Sequence, residues 1–250
     1  MNKIIKLAVV CAIIIFLYCF LFCAPQTVII TSSVSVVIPC IPKHVALLYN
    51  VLRTIETQTL PPNEVIIALS EASNQKWSEL AADLSSRYPS LNIIGTPVEY
   101  AANAATNRNR GAKLATSELI SFMDADDLMH PHRLQVLVDT FIVYGPHAVL
   151  HGWGEIGEKG ETPFQDVEAV RAHVASKKPT ESPHCEFDRA HHGHFTVKKE
   201  VFARVKQDES EETDGREDSE YVSRLVTAGY SVIFIPDILS TYRNYWLRVA

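Results

Sequence analysis

Three carboxylates follow an apolar run in the stretch Glu118-Leu119-Ile120-Ser121-Phe122-Met123-Asp124-Ala125-Asp126-Asp127. A continuous apolar segment bounded by polar residues is typical of a strand that is buried on both faces of an α/β sheet. In open sheets of this class, ligands bind beyond the carboxyl ends of the strands. The stretch therefore predicts an α/β fold in which the acidic cluster lies at a ligand crevice.

The acidic cluster Asp124–Asp127 has two interpretations. Carboxylates this close repel one another, and a hard, oxygen-seeking cation such as Mg2+ or Mn2+ would neutralise them. Alternatively, the cluster is a solvated turn, because aspartate is a favoured turn and helix N-cap residue. In either interpretation we expect Asp127 to cap the helix that follows.

Strand-like and helix-like patterns alternate along most of the chain. Strands are expected at Val34–Ile38, Val65–Leu69, Leu91–Ile94, Leu119–Met123, Ala148–Trp153, Phe195–Val197 and Val232–Ile235, and helices at His44–Thr57, Gln75–Tyr88, Ala101–Ala115, Pro131–Tyr144, Lys199–Val205 and Ser219–Ala228. This alternation predicts a mostly parallel sheet flanked by helices, of the Rossmann-like kind. Between Gly154 and Ala190 the pattern is lost, which predicts loops that carry specificity.

Length and charge narrow the class of protein. A chain of 250 residues with 47% hydrophobic content can build one sizeable α/β domain. Its formal net charge of -6 argues against a nucleic-acid binder, which would need basic residues to neutralise phosphates. We therefore expect no nucleic-acid partner.

The N-terminus carries an uninterrupted apolar run, Leu7–Ala24, preceded by Lys3 and Lys6. The run is long enough to span a bilayer and favours an uncleaved anchor over the alternative, a cleaved signal peptide. The lysines place the N-terminus in the cytoplasm, so we expect a single-pass type II membrane protein with a lumenal or extracytoplasmic body, in the ER or Golgi if the source is eukaryotic or viral. The expected division is anchor 1–24, short stem 25–33 and catalytic domain 34–250.

Two cysteines of the body, Cys40 and Cys185, are available for a disulfide in an oxidising lumen. Two cysteines do not form a framework, so the pairing stays open. The chain also has ten histidines, but their spacing fits no standard zinc site.

Five blocks in a fixed order resemble the family 2 glycosyltransferases of the GT-A fold, over about Val34 to Arg243. The blocks are Val34-Ser35-Val36-Val37-Ile38-Pro39, then Arg108-Asn109-Arg110-Gly111 ahead of Ser117–Asp127, then Gly193–Phe202, Arg216–Leu225 and Tyr242-Arg243. The chain lacks the Gln-x-x-Arg-Trp block of processive synthases. The resemblance therefore implies an enzyme that transfers a single sugar from a nucleotide-sugar donor.

The resemblance also implies roles for residues on the donor side. Asp126 would hold a divalent cation, Mn2+ or Mg2+, which stabilises the charge on the departing diphosphate. Asp124 would contact the donor ribose or sugar, Arg108 the nucleotide or diphosphate, and Pro39 would also lie against the donor. A UDP-sugar is the expected donor, and the acceptor is a hydroxyl of a glycan, lipid or protein.

The acceptor hydroxyl must lose its proton as it attacks the anomeric carbon, which requires a carboxylate base. The family pattern points to Asp218 as this base, with Glu217 as the alternative. Direct displacement with one base would invert the anomeric configuration. Alternatively, the two residues have only a structural role at the start of a helix, where the helix dipole favours acidic side chains.

One departure from the family pattern concerns the donor base. The family typically ends its second strand in Asp-Asp-Gly-Ser, whereas this chain has Ser70-Glu71-Ala72-Ser73. Ser70 or Glu71 would then replace the nucleotide contact, and the identity of the base is left open.

Two alternative functions remain. A nucleotidyltransferase also combines an α/β sheet with metal-binding carboxylates, but Pro39-Cys40-Ile41-Pro42 is not the glycine-rich phosphate loop that it usually needs. A membrane-tethered sugar-binding module that has lost turnover is the other alternative. Only the altered segment after the second strand favours it.

Overall fold

The computed structural model describes residues 33–155, 166–176, 180–181, 194–210 and 217–242. The strands within these ranges are β1 (Val34–Cys40), β2 (Glu64–Leu69), β3 (Ile93–Gly95), β4 (Leu119–Phe122), β5 (Leu128–Met129), β6 (Ala148–Glu155), β7 (Thr180–Glu181), β8 (Phe195–Lys198) and β9 (Val232–Tyr242). The helices are α1 (Leu48–Glu56), α2 (Asn74–Arg87), α3 (Ala104–Leu114), α4 (Arg133–Tyr144), α5 (Val167–Ser176), α6 (Lys199–Arg204) and α7 (Glu217–Thr227). A 3-10 helix at Pro42–Leu47 links β1 to α1.

The strands form one sheet in the order β3-β2-β1-β4-β8-β6-β9-β5, with β7 paired to β9. The first four strands run parallel, as the alternation of strands and helices predicted. The second half is mixed, because β8 lies antiparallel between β4 and β6, and β5 and β7 run antiparallel to β9. The prediction of a mostly parallel sheet therefore holds for one half only.

Helices cover both faces of the sheet and enclose two hydrophobic cores. One core contains side chains from α1, α2, α4 and α5, and the other contains side chains from α3, α6 and α7. Alternate residues of β1 point to opposite faces, so that Val36 and Ile38 belong to the first core and Val37 to the second. The fully buried strands β1, β2 and β4 explain the continuous apolar runs in the sequence.

Helix α5 lies within the region that was predicted to be loop. Its buried residues Val170 and Val174 are one turn apart and belong to the same core as α4. A helix of ten residues with only two buried positions gives a weak periodic signal, which explains why the sequence did not reveal it.

The prediction of a type II membrane protein is corrected here. No helix within the described ranges has the length and apolar character that crossing a bilayer requires. The longest of them, α2, has 14 residues, whereas a spanning helix needs about 20. The apolar run Leu7–Ala24, on which the prediction depended, lies outside the described residues, as does Cys185 of the open disulfide pairing.

Helix α3 packs unusually close to the sheet. A Cβ atom placed on Gly111 would lie 2.5 Å from Cγ1 of Val37, whose side chain is fully buried in β1. Only glycine allows this approach, and the approach sets the height of α3 above β1 and β2. The glycine of the Arg108-Asn109-Arg110-Gly111 block therefore positions the three polar residues that precede it in the same helix.

A buried polar layer lies between β4, β8 and β9. Its centre is the Arg133 guanidinium, fully buried at the start of α4, which donates hydrogen bonds to the Phe122 carbonyl (2.6 Å) and to the hydroxyls of Ser121 (3.2 Å) and Ser240 (2.8 Å). Burial lowers the pKa of Arg133 to about 9, against the opposing effect of Asp127 and Asp124. Arg133 thus remains a cation at neutral pH.

His151 of β6 is buried beside this layer. Its Nδ1 lies 2.8 Å from the Gly152 carbonyl, which makes Nδ1 the protonated nitrogen of a neutral ring. Burial, followed by the positive charge of Arg133, holds the pKa of His151 well below its usual value of 6.5. The folded state therefore favours the neutral form of this histidine.

Gly111→Ala tests the close packing of α3. We expect it to lower the free energy of unfolding by about 1–3 kcal/mol, because overpacking outweighs the better helix propensity of alanine. Urea unfolding followed by circular dichroism measures the change. In the Val37→Ala background the clashing methyl group is absent, so the same substitution should cost less. An equal cost in both backgrounds would show that the contact with Val37 is not the cause.

The pKa of His151 predicts how stability depends on pH. As the pH falls below about 6.5, the unfolded chain takes up a proton at this residue and the folded chain does not, so stability is lost by up to about 1.4 kcal/mol per pH unit. Above that pH the contribution is fully present. In His151→Asn, whose side-chain N–H can replace Nδ1–H, urea unfolding should show a shallower slope between about pH 5 and 6.5. Part of the slope should remain, because burial also lowers the pKa values of His130 and His147. An unchanged slope would contradict the assignment.

Candidate active site

The candidate site lies where the connections of the parallel strands diverge. The chain passes from β1 to β2 on one side and later returns to place β4 on the other side of β1. Open α/β sheets bind their ligands in the crevice that forms at this point. A cavity of about 380 Å³ occupies it, lined by the ends of β1 and β9, the start of α3 and the acidic turn after β4. We refer to this cavity as the cleft.

Arg108 of α3 contacts residues of two predicted motifs, the acidic cluster after β4 and the start of α7. Its Nη2 donates a hydrogen bond to Asp124 Oδ1 at 2.7 Å, and its Nη1 lies 3.8 Å from Glu217 Oε1 at the start of α7. The side chain is 4% exposed and lines the cleft. Nε and Nη1 have no hydrogen-bond acceptor among the described residues. A buried guanidinium with unused donors is suited to a bidentate anionic ligand such as a phosphate.

Asp126 also lines the cleft and faces residues that follow β1. Its Oδ2 lies 3.9 Å from His44 Nε2, and both side chains are about one-fifth exposed. Cys40, the last residue of β1, also lines the cleft. Burial, and secondly the Asp126 carboxylate, raises the pKa of the Cys40 thiol to about 12, so the thiol is neutral.

Asp127 does not cap the following helix, contrary to the prediction. Strand β5 intervenes between Asp127 and α4, whose N-cap residue is His132. The Asp127 side chain is instead fully buried, with Oδ2 3.9 Å from Nε2 of the buried His194. The turn that holds the acidic cluster is closed by a backbone hydrogen bond from Asp127 to Asp124. The solvated-turn interpretation therefore does not describe this cluster.

Arg133 is the site-related residue that the sequence interpretation missed. It is buried near the acidic turn, where its positive charge compensates the negative charges of Asp124 and Asp127 from inside the protein. A signal was present, because Arg133 opens a helix with apolar residues at Leu134, Val136, Leu137, Val138 and Phe141, and a cation in such a helix must find buried acceptors. Its position among hydroxyls of two strands required the fold to be known.

The predicted donor contacts at the end of β2 are less favourably placed. Pro39 lines the cleft, as do Arg108, Asp124 and Asp126, but Ser70 and Glu71 are not among the residues that line it. Ser70 is fully buried and its hydroxyl lies 3.5 Å from the Cys40 carbonyl. Glu71 is exposed and has a φ of 55°, a left-handed conformation that few non-glycine residues adopt. The structure thus brings four of the six donor-side residues together.

Glu217 and Asp218 occupy the first turn of α7, and both are half-buried. Glu217 faces Arg108, as described above. Gln207 and Glu209 are attached to α3 by Asn109, which donates to the Gln207 carbonyl (2.8 Å) and to Glu209 Oε1 (2.7 Å) and accepts from the Gln207 amide (3.1 Å). Helix α3 therefore contacts the acidic turn and Glu217 through Arg108, and Gln207 and Glu209 through Asn109.

Comparisons with known proteins identify the family. The model of the family "Glycosyl transferase family 2" matches residues 35–205, which is more than half of the chain. The amylovoran biosynthesis glycosyltransferase AmsB of Erwinia amylovora is 36% identical over 104 residues, which cover 41% of this chain and 34% of AmsB. The chain spans about a third of the length of the curated relatives that it matches.

Solved structures share the fold. S. aureus TarS 1-349 in complex with UDP has a TM-score of 0.61 and 15% identity, over 85% of this chain and 60% of that one. The mannosyltransferase PcManGT from Pyrobaculum calidifontis, in complex with GDP-Man and Mn2+, has a TM-score of 0.58 and 19% identity, over 84% of this chain and 56% of that one. With the family model matching most of the sheet and the Arg108 to Asp127 region, the predicted resemblance is confirmed, and the chain belongs to glycosyl transferase family 2.

Proposed function

We propose that this protein is a metal-dependent, inverting glycosyltransferase that moves one sugar from a nucleotide-sugar donor to a hydroxyl of a glycan, lipid or protein. In the proposed reaction the acceptor oxygen forms a bond to the anomeric carbon. The bond from that carbon to the diphosphate breaks, the acceptor proton passes to a carboxylate, and the nucleoside diphosphate leaves.

The observation that carries the proposal is the Arg108 guanidinium. It is almost fully buried, lines the cleft and keeps two nitrogens without hydrogen-bond acceptors among the described residues. Desolvating such a cation is costly unless a ligand supplies acceptors, and a diphosphate supplies them with the opposite charge. The cleft volume of about 380 Å³ suits a ligand of small-molecule size.

The chemistry of the cleft also fits a divalent cation held by Asp126. Its carboxylate lines the same cleft as the Arg108 side chain, and hard cations prefer such oxygen ligands. Mg2+ sites of this type commonly use one or two carboxylates and complete their coordination with substrate phosphates and water. When bound, the cation would stabilise negative charge on the leaving diphosphate. The Mn2+ in the mannosyltransferase complex supports this part of the proposal by analogy.

Asp218 is the proposed base. Its neighbour Glu217 faces the Arg108 guanidinium at 3.8 Å, a position in which its role is to orient that guanidinium. Successive residues of a helix project in different directions, so one of the two can serve Arg108 while the other serves the acceptor hydroxyl. Asp124, held by Arg108, is proposed to contact the donor ribose or sugar.

The donor base and the acceptor are proposed only by class. TarS and the mannosyltransferase have been solved with UDP and GDP-Man respectively, so the fold accommodates more than one base. A UDP-sugar is our proposed donor. Pro39 remains a proposed donor contact, whereas the buried Ser70 would need to act through its neighbours rather than directly.

The proposal is tested by incubating the purified full-length chain with a panel of UDP-sugars and GDP-sugars, with and without Mn2+, and measuring release of the nucleoside diphosphate. We expect release from at least one donor only when Mn2+ is present. Asp126→Ala should abolish it, and Lys113→Ala, an exposed change on the far end of α3, should not. Donor binding without turnover under every condition would favour a sugar-binding module, and neither binding nor turnover would refute the proposed function.

Asp218→Asn separates the base from the donor site. The substitution preserves the size of the side chain and removes its ability to accept the proton in flight, so turnover should fall by at least about 100-fold. Donor binding, measured by calorimetry with UDP and Mn2+, should remain nearly unchanged. Glu217→Gln should instead weaken donor binding, because Glu217 faces Arg108. A near-normal rate in Asp218→Asn would exclude Asp218 as the base.

A further inference from the structure

The segment that follows β1 brings an imidazole to the cleft wall. Pro42 opens the 3-10 helix, and a hydrogen bond from the His44 amide to the Ile41 carbonyl (2.9 Å) fixes its first turn. The His44 side chain is 19% exposed and lines the same cleft as Asp126 and Arg108. His44 and the acidic turn therefore line the same cleft from different segments of the chain.

The separation of the two side chains fits a shared cation. His44 Nε2 lies 3.9 Å from Asp126 Oδ2. An ion with bonds of about 2.1 Å to each atom can bridge a separation of up to about 4.2 Å. Adjacent ligands of an octahedral ion lie about 3.0 Å apart, so side-chain rotation would have to bring the two atoms about 0.9 Å closer. At this distance the two side chains form an ion pair rather than a direct hydrogen bond.

The unused Arg108 donors are an independent indication that a ligand belongs in this cleft. Nε and Nη1 of Arg108 are buried without hydrogen-bond acceptors in the described part of the chain, and the side chain lines the cleft that His44 and Asp126 also line. An anionic diphosphate at Arg108 would bring phosphate oxygens to the same space. A cation between His44 and Asp126 could then complete its coordination with those oxygens and with water.

We propose that His44 is a second protein ligand of the catalytic cation, and that this imidazole makes the site favour Mn2+ over Mg2+. The inference rests on the proposed function, because the cation is the one that would accompany the donor diphosphate. Mg2+ is bound through oxygen ligands and demands near-ideal octahedral geometry, so replacing one oxygen ligand with an imidazole nitrogen disfavours Mg2+ more than the larger Mn2+. An Asp126 site without the histidine would discriminate less between the two ions.

The contribution of His44 also has a simpler alternative. The imidazole could form only an ion pair with Asp126 and orient the carboxylate without touching the cation. Both roles would lower activity when His44 is changed, so activity alone does not separate them. A spectroscopic signature of nitrogen bound to the ion does separate them.

The experiment uses Mn2+ with UDP and the purified full-length chain, read by pulsed electron paramagnetic resonance for 14N coupling to the bound ion. The wild type should show the coupling and His44→Gln should lose it. His147→Gln, which changes a histidine outside the cleft that bonds to Ser231, is the matched control and should keep it. Loss of His44 should weaken Mn2+ binding by about 10-fold or more and Mg2+ binding much less.

Three other outcomes would contradict the inference, and each can be told apart from the others. If Mn2+ binds and requires Asp126, but the 14N coupling is absent or survives in His44→Gln, then His44 is not a ligand while the proposed function stands. Equal losses of Mn2+ and Mg2+ affinity would indicate the orienting role. If Mn2+ does not bind even with UDP, the inference fails, and the nucleotide-sugar panel decides the proposed function separately.

Discussion

The mutual repulsion of three carboxylates at the end of β4 is the constraint on which the site depends. Arg108 balances them from the cleft by its 2.7 Å hydrogen bond to Asp124, and Arg133 balances them from the interior. Removing either cation would leave a poorly compensated charge in a buried setting, which is costly. Asp126, which lies between Asp124 and Asp127 in the sequence, lines the cleft near His44. The same balance that stabilises the turn therefore presents one carboxylate to a ligand.

Helix α3 connects the acidic turn to the start of α7. Gly111 lets the helix lie close to β1, Arg108 then reaches both Asp124 and Glu217, and Asn109 bonds to the backbone at Gln207. Asp124 and Glu217 are far apart in sequence but both contact Arg108. A change in the height of α3 would therefore affect both contacts.

Local pattern predicted much of the fold. The apolar runs predicted the parallel strands. The order of motifs singled out Arg108, Asp124 and Glu217, whose mutual contacts were found only in the structure and whose roles stay predictions. The predictions that were wrong concern features that long-range packing determines. The antiparallel placement of β8 is set by its pairing with β4 and β6, and Asp127 is buried against His194 of a distant segment rather than capping a helix. Arg133 and the buried Ser70 likewise take their roles from strands that the local pattern does not specify.

The central claim is that the cleft holds a nucleotide diphosphate between Arg108 and a cation on Asp126. The most direct test is a crystal structure of the protein with UDP and Mn2+, in which anomalous scattering locates the ion. We predict an Mn2+ peak within bonding distance of the Asp126 carboxylate and the diphosphate, with a phosphate oxygen accepting a hydrogen bond from Arg108. A diphosphate bound elsewhere, or an ion that contacts neither Asp126 nor the phosphates, would contradict the account.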